Sequence, residues 1–163
     1  MDLAAEGKKI NFGAWFGGLA TLVTIVGGAV AIQQYYAQNP GDISGQWILE
    51  DQATKTSDSR YQNMRVRYLV NFVQNGNTFT GVGEKTGVQD EGKPMVELIG
   101  TERTQIKING TVSRSAIHAD FQDHGKLRTS DGAFDLKLNK SAWTGTFSCG
   151  AADSSGTSLL KRP

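Results

Sequence analysis

The segment HADFQDH holds both histidines of the chain, His118 and His124, with Asp120 and Asp123 between them. Imidazole and carboxylate are ligands that a divalent metal takes. A period of two separates them: His118 and Asp120 share one face of a strand, Ile117, Ala119 and Phe121 share the other, and His124 falls in a turn. No metal is expected there. The chain carries no Gly-x-Ser-x-Gly elbow, phosphate-binding loop or dinucleotide fingerprint. Gly81-Val82-Gly83 sits inside a strand pattern and lacks the following helix that phosphate binding requires. The carboxylates are scattered among turns and basic residues, so no acid–base pair stands out. Neither an enzyme nor a cofactor is expected.

Binding chemistry has better candidates. Arg114, His118, His124, Lys126 and Arg128 form a run of bases able to meet a phosphate through charge-assisted hydrogen bonds. Asp120, Asp123 and Asp131 are interleaved with it, and a solvated face is the competing reading. Tyr68, Phe72, Phe79, Phe121 and Trp143 fall on the apolar faces of alternating segments. They line a ligand cavity or pack a core, and the pattern alone leaves both open.

The elements that carry these residues read as short strands. In MRVRYLVNF, Met64, Val66, Tyr68, Val70 and Phe72 alternate with Arg65, Arg67, Leu69 and Asn71, the mark of a half-buried strand. Asn75-Gly76 predicts a tight hairpin because both residues tolerate positive φ. Gly81 and Gly83 in the following strand predict a bend or bulge. MVELIG is a weak strand. TQIKINGTVS and SAIHADFQ alternate, GAFDLKLNKSAWTGTF is a hairpin, and GTSLLKR closes the series. About eight strands with short connections predict an all-β, antiparallel up-and-down barrel, since closure removes exposed edges.

Gly45-Gln46-Trp47, at the head of the first strand, resembles the Gly-x-Trp signature of the lipocalins and related calycin barrels. The resemblance implies that Trp47 plugs the closed end of the barrel, beginning from Gly45. It also implies that a base on the last strand, Lys161 or Arg162, lies across the indole. The strands are shorter than in a typical lipocalin, so side chains are expected to fill part of the interior.

No charged residue lies between Ile10 and Gly41. That stretch exceeds the roughly 20 apolar residues that cross a bilayer. Phe12, Trp15 and Phe16 at one end and Tyr35 and Tyr36 at the other suit interfacial anchors. The expected organisation is a cytoplasmic tail over 1–9, a transmembrane helix over 10–38, a linker over 39–44 and a barrel over 45–163. Ala29-Val30-Ala31 resembles a signal-peptidase site, and a cleaved leader is the alternative. Lys8 and Lys9 precede the span and no base follows before Lys55, which places the barrel outside the cytoplasm. Gly13 and Gly17, then Ala20, Thr24 and Gly28, recur at four-residue spacing, which is either a ridge through which membrane helices associate or the ordinary Gly and Ala content of such helices.

Seventeen bases against sixteen acids leave a net charge of +1, which argues against a nucleic-acid polymer as partner. Twenty glycines and three prolines suit short strands and tight turns. Cys149 is the only cysteine and has no partner for a disulfide. A membrane span joined to a small calycin-like barrel is similar in architecture to the membrane-anchored β-barrel effectors of bacterial cyclic-oligonucleotide antiphage systems. That resemblance implies a barrel that senses a cyclic dinucleotide and membrane helices that assemble into a homo-oligomer. Those effectors usually have two spans and face the cytosol, whereas the charge rule points outward here. The other expectations are an extracytoplasmic lipocalin-like carrier of an apolar ligand, or a structural accessory protein of the envelope.

Overall fold

Alternate residues of the first strand, Trp47, Leu49, Asp51 and Ala53, are buried while their neighbours are not. The same period of two runs through nearly every later strand, and it wraps the sheet around one interior. The structure, a computed structural model, describes residues 41–163. The expected tail over 1–9, the transmembrane helix over 10–38 and the small-residue ridge Gly13, Gly17, Ala20, Thr24 and Gly28 lie outside the described residues. Among the described residues no helix is long and apolar enough to cross a membrane.

The strands are β1 (Gly45–Lys55), β2 (Arg65–Asn75), β3 (Thr78–Gln89), β4 (Val96–Glu97), β5 (Gln105–Val112), β6 (Ala116–His124), β7 (Thr129–Asn139), β8 (Ala142–Cys149) and β9 (Ser154–Lys161). Every pairing is antiparallel, and β1 pairs with both β2 and β9. Pairing of β2 with β3 completes a closed ring of eight strands, consistent with a calycin-like fold. The weak segment MVELIG supplies the extra strand β4, which pairs only with the far end of β3, through Gly87 and Val88.

The β2–β3 turn is displaced by one residue from the expected one. Asn75 pairs with Thr78, so the turn residues are Gly76 and Asn77, and of these only Gly76 has positive φ, at +62°. Positive φ at the first turn position alone is the type II′ pattern, in which glycine carries the unusual angle. The ladder shifts register at Arg67/Tyr68 on β2 and at Ala53/Lys55 on β1, both at the opposite end of the barrel from this turn. Bulges at a barrel rim bend the strands where pairing is about to stop.

The end of the barrel where β1 starts is plugged. Trp47 is 5% exposed, and its indole N–H donates to the Ile43 carbonyl at 2.7 Å. Ile43, which falls in the expected linker, is itself buried, so the barrel's packing begins before Gly45. The Arg162 guanidinium lies 4.0 Å from the centre of the Trp47 ring and donates to the carbonyls of Ser44 and Gln46. Of the two expected covers it is Arg162 that serves. Lys161 points outward and pairs with Glu50 at 3.3 Å. Gly45 has φ of +98°, and a side chain there would crowd the Arg162 guanidinium.

Above the plug the interior is filled by rings set against glycines. Phe72 faces Gly81 across the β2–β3 ladder, and a methyl group on Gly81 would overlap the Phe72 ring. Phe79 faces Gly110 and Phe121 faces Gly132 in the same way. Gly81 therefore provides room for a ring in addition to any bend. Phe72 and Phe79 meet edge to face with centroids 5.0 Å apart. Burying such rings is the main source of stabilisation in a core of this size.

Candidate functional site

Toward the other end, the inward positions of the strands turn polar in a single layer. On β1 the series Trp47, Leu49 continues to Asp51. On β6 the series Ile117, Ala119, Phe121 reaches Asp123. Lys85 on β3 lies directly across from Tyr68 on β2, and Ser158 on β9 lies across from Asp51. Four of them, Asp51, Tyr68, Lys85 and Asp123, form the floor of a cavity of about 740 Å³ at the barrel mouth, a size usual for small-ligand sites. Ser158 does not line the cavity but holds Asp51 from behind. Ala53, Met64, Val66, Phe121 and Phe147 supply apolar wall around the floor.

The floor is a hydrogen-bonded network. Asp123 accepts from Lys85 Nζ at 2.7 Å and from the Tyr68 hydroxyl at 3.0 Å, both at Oδ2. Its Oδ1 is buried and has no hydrogen-bond partner. Asp51 accepts a short hydrogen bond from Ser158 Oγ. Burial pushes the Asp51 carboxyl up to about 7; the charge of Asp123 adds to that rise, while the Ser158 bond and the Lys85 charge oppose it. Burial and the nearby carboxylates also push the Tyr68 phenol well up, so it remains a donor. Lys85 Nζ stands 5.5 Å from the Tyr68 ring centre, a cation–π contact inside the wall.

The rim comes from three connections. The loop between β6 and β7 carries Lys126, Leu127 and Arg128, all exposed. Between β1 and β2 a short 3-10 turn, Ser59–Tyr61, is capped by Asp58, which also holds Arg60 in an ion pair. Ser57 N and Thr56 Oγ1 both donate to the Ala152 carbonyl in the β8–β9 connection, which ties two of the three rim loops together. Among the described residues neither Lys126 nor Arg128 has an ion-pair partner.

The structure divides the residues expected to act together. Lys126 and Arg128 line the mouth. Arg114 lies in the β5–β6 turn, and Val112 just before it bonds to Asn77, so that turn belongs to the plugged end. His118 faces outward on β6 and pairs with Asp135 at 2.5 Å, which raises its pKa first through the hydrogen bond and then through charge. The anion cluster is thus two residues, with Arg114 and His118 elsewhere. Of the five aromatic candidates, Tyr68 and Phe121 line the cavity. Phe72, Phe79 and Trp143 are buried nearer the plug and serve as core.

Cys149 also lines the mouth. Its thiol is half-buried and burial pushes it up, so it is not an activated nucleophile. Among the described residues no cluster of three His, Cys, Asp or Glu side chains is placed to hold a metal ion. Asp51, Lys85 and Ser158 were not marked by any motif, and Asp123 stood out only as a carboxylate between the two histidines, although each occupies an inward-facing register. No protein-family model matches the chain, and comparison with curated proteins finds no relative.

Proposed function

We propose that the chain is a membrane-anchored, non-enzymatic β-barrel that binds a small anionic ligand of the cyclic-nucleotide class in its mouth. In this reading it acts as a sensor, and its membrane helices self-associate on binding. The observation that carries the reading is the pairing of Lys126 and Arg128, without carboxylate partners, on the rim of a cavity with a polar floor. Guanidinium and ammonium groups at a rim attract and orient phosphate. Apolar wall around the floor suits a base or sugar face.

A purely apolar ligand, as a carrier would hold, fits less well. It would remove Asp123 and Lys85 further from water and give Asp123 Oδ1 no partner, which costs free energy. Calorimetric titration of the full chain in lipid nanodiscs with cyclic mono- and dinucleotides tests the proposal. Replacing Lys126 and Arg128 together by Ala should weaken binding roughly ten- to a hundredfold, the scale of losing charge-assisted hydrogen bonds. Arg114→Ala, at the far end, should leave it unchanged. Absence of binding across the panel, or equal losses in both variants, would overturn the assignment.

A further inference from the structure

The floor of the cavity has acceptor capacity left over. The hydroxyl protons of Tyr68 and Ser158 are already directed at carboxylates, and one N–H of the Lys85 ammonium goes to Asp123 Oδ2. Asp123 Oδ1 remains, buried at the cavity wall with nothing to accept from. A buried acceptor of this kind is costly to leave alone and recovers that cost from a ligand that donates to it. Asp123 lines the cavity with one oxygen unpaired, so the floor favours an N–H-bearing group over a further acceptor at that point. The rim has the opposite character, with Lys126 and Arg128 free to meet negative charge. The mouth is therefore polarised along its axis, acceptor inside and cation outside.

We propose that the cavity selects small anions that also carry an N–H donor, such as an amino-substituted heteroaromatic ring, and holds them donor inward on Asp123 and anion outward on Lys126 and Arg128. This rests on the reading of the mouth as an anionic-ligand site and adds which end of the ligand enters first and what that end must offer. The wall supports a planar inner group, since Phe121 lies below the rim and Phe147 lines the same space. A ligand whose inner end offers only acceptors can meet the remaining N–H groups of Lys85 but leaves Asp123 Oδ1 unpaired. It should bind more weakly although its phosphate is identical.

The test compares 3′,5′-cyclic AMP with the 3′,5′-cyclic phosphate of purine riboside, which lacks the exocyclic amine and has no base N–H. Affinity of the full chain in nanodiscs is read by ligand-observed NMR titration. Cyclic AMP should bind at least about tenfold more tightly, the worth of one hydrogen bond to a charged acceptor. In Asp123→Asn the two ligands should converge, while the Lys126→Ala/Arg128→Ala variant weakens both and keeps their ratio. The comparison of ligands on the unaltered protein stands even if Asp123→Asn does not fold. Equal affinities would overturn donor selection and leave the anionic-ligand reading intact. If neither ligand binds, that reading fails and donor selection falls with it.

Discussion

Asp51 sits in the cavity floor with its carboxyl lifted from an ordinary 3.8 to about 7, chiefly by burial. Between those values the folded barrel holds a proton that the unfolded chain has released. Stability therefore falls as pH rises through that window and levels off above it. The full penalty is roughly 4 kcal/mol, of which about 2–3 kcal/mol develops between about pH 5 and about pH 8. Asn has nearly the shape of the neutral acid, retains an oxygen to accept from Ser158, and cannot ionise. Asp51→Asn should consequently gain on the wild type by about 2–3 kcal/mol across that interval, the other titrating groups cancelling in the difference. Urea unfolding of both proteins in detergent micelles, followed by near-ultraviolet circular dichroism at a series of pH values, measures it. Parallel profiles, separated by a constant to within about 0.5 kcal/mol, would refute the argument. So would the reverse slope, which would mean that Asp51 is better ionised in the fold than out of it.

Four substitutions probe the walls and the plug. Trp47→Ala should cost roughly 3–5 kcal/mol in the same unfolding assay, the usual result of emptying a large aromatic site. A loss under about 1 kcal/mol would show that the indole does not plug the barrel. Arg162→Ala should cost about 1–2 kcal/mol through the lost cation–π contact and backbone bonds. Lys161→Ala, one residue away on the outer face, should stay under about 1 kcal/mol. Gly81→Ala should destabilise by about 1–3 kcal/mol because its methyl group meets the Phe72 ring, and a neutral result would mean that the ring has room to move.

Much of the barrel was legible from alternation. The long period-two runs gave most strands, and short connections gave their antiparallel order. Trp47 was readable from its triplet, but which base covers it depended on parity: Ser158, Leu160 and Arg162 share the inward register, and Lys161 does not. The same parity marks Asp51, Lys85 and Asp123 as inward. Their shared layer was missed because a polar residue on an apolar face is noticed only after the strands are aligned, when all three fall at one depth. Depth also separates Tyr68 and Phe121 from Phe72, Phe79 and Trp143, which alternation alone treats alike. Arg114 and Arg128 lie in successive turns of an up-and-down barrel, and successive turns lie at opposite ends. The type II′ turn at Gly76 was hidden by a one-residue ambiguity that only the Asn75–Thr78 pairing resolves.

The ring closes where β1 meets β9, and this seam joins the beginning of the barrel to its last residues. All other ladders of the ring unite neighbours along the barrel chain; this one waits until the final strand exists. Both ends of the barrel straddle it. At the plug Trp47 meets Arg162, and at the floor Asp51 meets Ser158, residues 107 apart in sequence. Forming such distant contacts is slow relative to forming local hairpins. A nascent or truncated chain lacking β9 thus has neither stopper nor complete pocket, however well its hairpins form. In the proposed reading, binding awaits closure of this seam, and a ligand that touches both sides of it would stabilise the closed ring against reopening.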